Sequence, residues 1–187
     1  AAKLGARVAL VEKRRIGGDC TWTGCVPSKA LIKAARVAHT ARHAARYGVE
    51  VSAPRVDMAR VRAYVRDAVA EVYAHETPEA LATMGVTVIL GAAEFVDAET
   101  IQVGGRRIHA RRAIVCTGAR PAIPPVAGLT KVPFTTYETL FDNAVLPAHL
   151  VVLGAGPIGL EMAQAYSRLG AGVTVVGDAN QLQQVVL

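Results

Sequence analysis

The stretch Gly17-Gly18-Asp19-Cys20-Thr21-Trp22-Thr23-Gly24-Cys25-Val26-Pro27-Ser28-Lys29 holds two of the three cysteines of the chain, five positions apart. Two thiols at that spacing suit redox chemistry if the backbone lets them meet. Five residues of regular α-helix rise about 7.5 Å, whereas disulfide Cα atoms usually lie about 4.4–6.8 Å apart. A Cys20–Cys25 bond therefore needs a distorted first helical turn, and Gly24 supplies the backbone freedom for it. A thiol near a helix start ionises more readily, and the thiolate is the reactive form. Lys29 follows Cys25 by four residues and shares its face on a regular helix, which puts an ammonium near the thiol. Pro27 suits an early helical turn. The competing readings are two inert buried thiols or half of a metal site. Metal binding lacks partners. No second C-x-x-C pairs with the two cysteines, and His39 and His43 lie i,i+4 on a basic, solvated helix face. Cys116 falls in an apolar run and reads as a small core residue. Trp22 packs either over a cofactor or over the loop.

A second constellation is Gly154-Ala155-Gly156-Pro157-Ile158-Gly159, a match to G-x-G-x-x-G. The string alone is weak evidence, but an apolar strand precedes it, and a helix and a second strand follow it. Glycines let the backbone turn tightly and approach a pyrophosphate, whose charge is stabilised by free N–H groups and the dipole at the helix start. The alternative is a tight turn that only packs. Asp178 lies 24 residues past Gly154, close to the ~20 at which an acid selects a ribose with a free 2′-hydroxyl. No arginine is there to hold a 2′-phosphate, so NAD is preferred over NADP. Glu12 ends an apolar strand in the same way and reads as the ribose-binding acid of a first dinucleotide. Its Gly-rich turn belongs about 20 residues earlier, which is further upstream than this chain reaches. The plainer reading of Glu12 is a solvent-facing acid at a strand end.

These residues need a scaffold of strands and helices. Val8–Val11 is a buried apolar run ending at Glu12. A long helical region runs from Cys25 to about Tyr47 and stops at Gly48. Pro54 to Ala82 carries another amphipathic helix, interrupted or restarted at Pro78. The period then changes to short strands at 86–90, 94–96, 100–103 and 107–108, with a hairpin turn at Gly104-Gly105. A further strand is expected at 113–116. The proline-rich connector from Pro121 to Pro125 is the best domain boundary. A short helix is expected over 135–143, then a strand at 150–153, a helix at 160–169 and a strand at 173–176. Residues 4–13 echo 169–178, both reading as the second half of a βαβ unit.

The 187 residues allow one domain or two small ones. Hydrophobic residues are 52% and charged residues 19%, which favours a packed core over disorder. The net charge of +6 comes mostly from scattered arginine and reads as solvated helix faces. It also suits an anionic dinucleotide. No aromatic-plus-basic motif points to nucleic acid. No apolar run suggests a membrane span, and no signal-peptide pattern is present. Three cysteines are too few for a secreted disulfide scaffold. The expected setting is cytoplasmic.

The segment "GGDCTWTGCVPSKALI" resembles the redox signature of the class I pyridine nucleotide–disulfide oxidoreductases, which include glutathione reductase, dihydrolipoamide dehydrogenase and mercuric reductase. "VALVEK", "GAAEF", "IVCTGARPAIPP" and "VVLGAGPIGLEMAQAYSRLGA" follow in the family's order. "GLEMAQAYSRLGA" is most similar to the mercuric-reductase-like branch. The resemblance implies an α/β, Rossmann-like FAD/NAD(P)-binding fold with two dinucleotide-binding domains, both incomplete here. Residues 1–120 would form the FAD-binding domain without its first strand and Gly-rich turn. Residues 121–187 would begin the NAD(P)-binding domain. A C-terminal dimerisation domain with a catalytic His–Glu pair would lie outside the chain, and the parent would be a homodimer.

The same resemblance implies that NAD(P)H binds at Gly154, Gly156, Pro157, Ile158 and Gly159 and gives hydride to FAD. Reduced flavin then opens a Cys20–Cys25 disulfide. Cys25 would face the flavin as the charge-transfer thiolate, and Cys20 would exchange with a disulfide or another two-electron acceptor such as Hg(II). Lys29 would lie near the flavin and pair with Glu161. Glu12 would hold the FAD ribose, Ala93 the adenine, and Thr117-Gly118 the back of the cofactor. Gly17, Gly18 and Asp19 would pass the pyrophosphate. Asp19 stands where many relatives carry Thr. Gly177-Asp178 matches neither the strand-end Glu of NAD users nor the Arg of NADP users, and the tail "QLQQVVL" drifts from the pattern. The competing hypothesis is a catalytically inactive partial gene product, at most a weak nucleotide-binding module. A flavin monooxygenase or ferredoxin reductase relative would lack the C-x4-C element.

Overall fold

A computed structural model of the protein describes residues 1–177. The apolar run after Gly5 forms strand β1 (Val8–Glu12), paired in parallel with β2 (Val86–Leu90) in the register Val8↔Val86 to Glu12↔Leu90. Four helices fill the crossover between them: α1 (Gly18–Trp22), α2 (Cys25–Arg42), α3 (Met58–Tyr73) and α4 (Pro78–Thr83). A three-stranded antiparallel sheet follows, β3 (Ala93–Phe95), β4 (Thr100–Val103) and β5 (Arg106–His109). Gly104, at φ +57°, makes the β4–β5 hairpin turn that its sequence predicts. The last unit is βαβ: β6 (His149–Leu153), α5 (Pro157–Leu169) and β7 (Gly172–Val176), with the two strands parallel.

Capping chemistry sets two helix starts. The Asp57 carboxylate accepts the Arg60 N–H at 3.1 Å, so α3 begins at Met58 and not at Pro54 as expected. The Thr77 hydroxyl accepts the Ala80 N–H at 3.1 Å with Pro78 next in line, so α4 is the short second piece the proline signals.

The core lies where α2, α3 and α5 meet. Leu31, Ala35, Val65, Met162, Tyr166 and Leu169 are all buried there, and each large side chain contributes roughly 1.5–3 kcal/mol of burial. The Tyr166 hydroxyl donates to the Leu140 carbonyl at 3.4 Å and accepts from Asn143 at 3.4 Å, which satisfies the phenol inside the core. Burial raises the Tyr166 pKa and keeps the phenol neutral. Arg42, the last residue of α2, donates to the Arg168 and Leu169 carbonyls at the end of α5, the latter at 3.3 Å. A cation on those carbonyls complements the helix dipole. It also ties the cysteine-bearing helix to the helix of the second Gly-rich turn.

Three expectations are corrected here. Residues 113–116 form no strand, and Ile114 is 88% exposed. An apolar run becomes a strand only with a ladder partner, and among the described residues none pairs with it. Cys116 is accordingly exposed and not a core residue. Over 135–143 the only helical turn is a 3-10 turn at Leu140–Asp142.

Candidate functional site

The cysteine pair straddles a break between two helices. Cys20 lies in α1 and Cys25 is the first residue of α2, with Thr23 and Gly24 between the helices. A Cβ on Gly24 would stand 2.9 Å from the Asp19 carbonyl oxygen and 3.4 Å from the Cys20 Cα. Glycine therefore lets α1 fold back onto the start of α2, which is the distortion that the five-residue spacing demands. Both cysteines are exposed.

Their electrostatics are unequal. A hydrogen bond to the Cys25 sulfur is the main cause of the raised Cys20 pKa, with desolvation and the Cys25 charge adding to it. The Lys29 ammonium pulls the Cys20 pKa the other way, so its charge is felt at Cys20. Cys25 occupies the positive end of the α2 dipole. The expected Lys29–Glu161 ion pair is not formed. Both residues are exposed, and no ion pair among the described residues joins them. Exposed pairs gain at most about 1 kcal/mol over full solvation.

Helix α1 has only five residues and is too short to hold itself. Two contacts fix it. The Thr21 hydroxyl, 1% exposed, donates to Glu76 at 2.6 Å. The Trp22 indole N–H donates to the Ile16 carbonyl at 2.6 Å. The Trp22 ring lies under the Arg15 guanidinium, 3.8 Å from its centroid, and against Tyr73 with centroids 4.8 Å apart. Trp22 thus packs on the loop and α3. Sequence reasoning missed Thr21, Glu76, Tyr73 and Arg15, because the first two are 55 residues apart with no local pattern linking them.

The other candidate residues gather around these elements to different degrees. Gly17 adopts φ +108°, and a Cβ there would meet Thr21, the Trp22 indole and Glu76 at about 3 Å. Gly18 has φ +60° and open space around it. Gly118, at φ +71°, lies against Asp19: its Cβ would stand 3.0 Å from the carboxylate. The structure therefore brings Gly118 against Asp19, which lies between Gly17-Gly18 and Cys20 in the chain. Glu12 ends β1, where its carboxylate accepts the Arg14 N–H at 2.7 Å. Ala93 opens β3 and is exposed. His39 and His43 stack with ring centroids 4.2 Å apart.

At the second Gly-rich turn, the Gly154 N–H donates to the Val176 carbonyl at 2.7 Å, locking the turn to the end of β7. Gly154 has φ +113°, and a Cβ on Gly159 would stand 2.2 Å from the Gly154 carbonyl oxygen. The turn is thus closed by backbone against backbone. Gly156 caps α5 with no atom within 4 Å of its missing Cβ, Pro157 follows at the first helical position and Ile158 is exposed. Open glycine at the start of a 13-residue helix fits a pyrophosphate. Asp178 and the tail lie outside the described residues.

Parallel βαβ units, a Gly-rich helix start and an opposed thiol pair define a dinucleotide-binding, thiol–disulfide class of α/β protein. The family model for pyridine nucleotide-disulphide oxidoreductases matches residues 1–186, and the chain belongs to that family. The family is FAD-containing and uses NAD(P)H. The chain is 40% identical over 184 residues to a mercuric reductase of Shewanella putrefaciens, covering 94% of this chain and 33% of that protein. It is 34% identical over 182 residues to a mercuric reductase of Lysinibacillus sphaericus, covering 97% of this chain and 33% of the relative. Among solved structures it is similar to LpdA of Mycobacterium tuberculosis, with TM-score 0.80, 31% identity and coverage of 94% and 41% of the two chains. It is also similar to the HOCl-induced flavoprotein disulfide reductase RclA of Escherichia coli, with TM-score 0.76, 31% identity and coverage of 93% and 37%. These likenesses establish the Rossmann-like fold class. The chain spans about a third of the length of the curated relatives it matches. No helix among the described residues is long and apolar enough to cross a membrane.

Proposed function

We propose that the chain is the cofactor-side part of an NAD(P)H-dependent flavin oxidoreductase that delivers electron pairs to the Cys20–Cys25 couple and on to an external acceptor. The observation that carries this reading is the Gly24 break that folds the Cys20 helix back onto the start of α2, where Cys25 is the first residue of the helix that packs on α5. FAD, when bound, supplies the two-electron relay between nicotinamide and sulfur. Residues 1–120 are its proposed domain, with Glu12, Gly17, Gly18, Asp19, Lys29, Ala93, Thr117 and Gly118 around it. Residues 121–187 begin the proposed nicotinamide-nucleotide domain, with Gly154, Gly156, Pro157, Ile158, Gly159 and Asp178 as its contacts.

The chain's own residues do the following work. Gly18 leaves open space beside the start of α1, and the N–H groups of Gly156, Ile158 and Gly159 are the proposed donors to phosphate charge. Lys29 sets a cation beside the thiol pair, and Glu161 sits on the first turns of α5. Cys20 is the proposed exchanging sulfur, exposed to an acceptor and carrying its proton until the acceptor arrives. The acceptor class is a disulfide or a thiophilic two-electron acceptor such as Hg(II), supported by the names of the similar mercuric reductases. The acid–base partner for that exchange and a homodimer interface are assigned to the part of the parent beyond this chain, and a cytoplasmic setting suits exposed thiols.

Purified full-length parent tests this directly. It should carry flavin absorbance, and Cys25→Ser should abolish NAD(P)H-driven acceptor turnover while leaving the flavin bound. Absence of flavin, or full turnover by Cys25→Ser, would overturn the proposal.

A further inference from the structure

We infer that Glu76 is a positioning residue for the redox pair, acting through its hydrogen bond from Thr21 to hold Cys20 against Cys25. The inference rests on the proposed redox role of the pair but adds a residue that lies 51 positions beyond Cys25 in sequence. Cys20 sits in the middle of a five-residue helix that has no side-chain cap. Such a helix holds its shape only through tertiary contacts. The residue next to Cys20, Thr21, is almost wholly buried, and its hydroxyl is satisfied by Glu76 at 2.6 Å. A hydroxyl on a carboxylate is a charge-assisted bond, stronger than a neutral one. Glu76 is held in turn: its backbone N–H donates to the Tyr73 carbonyl at 2.8 Å, at the end of α3. The Tyr73 ring itself packs at a tilt against Trp22. The carboxylate therefore anchors α1 to the end of α3, while the neighbouring Cys20 is exposed and lies beside the start of α2, where a Cβ on Gly24 would stand 3.4 Å from the Cys20 Cα.

The consequence is chemical. When the pair oxidises, one S–S bond forms, and two protons and two electrons leave for an acceptor disulfide that opens to a dithiol. The equilibrium depends on how closely Cys20 is held to Cys25 in the dithiol state, because ordering it costs conformational entropy. Releasing the Thr21–Glu76 bond frees Cys20 and makes the disulfide easier to reduce.

The test equilibrates the full-length protein anaerobically with mixtures of reduced and oxidised dithiothreitol. Cys20 and Cys25 are then counted as thiol or disulfide by differential alkylation and peptide mass spectrometry. Glu76→Ala and Thr21→Val should each shift the equilibrium toward dithiol by about tenfold, which is about 30 mV for a two-electron couple. The double variant should shift no further than either single variant, as expected for two ends of one bond. Glu76→Gln and Thr21→Ser keep an acceptor and a donor and should stay near wild type, so they report even if the disruptive variants fold poorly. Unchanged equilibria in Glu76→Ala and Thr21→Val, or a Glu76→Gln shift equal to that of Glu76→Ala, would overturn the inference. A wild type that never forms the disulfide would instead sink the proposed function itself.

Discussion

Cys20 in α1 and Cys25 at the start of α2 face one another across the Thr23-Gly24 break, and the Cys25 side chain is the main cause of the raised Cys20 pKa, acting as a hydrogen-bond acceptor for the neutral thiol. The bond stabilises the neutral thiol, so Cys20 stays protonated to higher pH than a free cysteine. Removing the acceptor should release it. In the reduced protein, Cys25→Ala should move the pH profile of iodoacetamide alkylation at Cys20 to lower pH, read by peptide mass spectrometry. A profile that stays put or moves to higher pH contradicts the hydrogen bond.

Gly24 sets the approach of the two helices. Gly24→Ala puts a Cβ 2.9 Å from the Asp19 carbonyl oxygen, where only backbone movement relieves the contact. Overpacking of this kind costs about 1–3 kcal/mol. The expected outcome is a lower urea midpoint together with weaker Cys20–Cys25 disulfide formation in the dithiothreitol equilibrium. An unperturbed equilibrium would show that the close approach is not needed.

At the nucleotide turn, Gly159→Ala sets a Cβ 2.2 Å from the Gly154 carbonyl oxygen and must open the turn. In the parent enzyme KM for NAD(P)H should rise by about tenfold or more, the equivalent of ~1.4 kcal/mol. Reduction by dithionite should be unaffected. Equal damage to both would mean a general folding defect.

Arg42 joins α2 to the end of α5 through the Arg168 and Leu169 carbonyls. It is exposed, so Arg42→Ala should lower stability by only about 1 kcal/mol, less than a buried charged hydrogen bond would contribute. Arg42→Lys should recover part of the loss, because a point charge still faces the helix end but the guanidinium fork is gone. Urea denaturation measures both.

Local signals carried well from sequence to structure. The strand ending at Glu12, the restart at Pro78, the Gly104 hairpin and the β6–α5–β7 unit all depend on residues near one another in the chain. So did the need for a break between Cys20 and Cys25, which follows from helix rise alone. What failed depends on partners far away. Residues 113–116 have the composition of a strand but no ladder partner among the described residues. Lys29 and Glu161 are on helices whose packing is set by Leu31, Tyr166 and their neighbours, and apolar packing does not oblige two exposed charges to meet. Thr21 gives no hint of Glu76, because a buried hydroxyl takes whichever acceptor the tertiary fold brings to it.

The most direct test of the central claim is a thiol count in the full-length protein, taken anaerobically before and after one equivalent of NADH or NADPH. The account predicts that Cys20 and Cys25 resist alkylation in the oxidised protein and that both are alkylated after the nucleotide is added. Identical labelling at these two sulfurs before and after would contradict it.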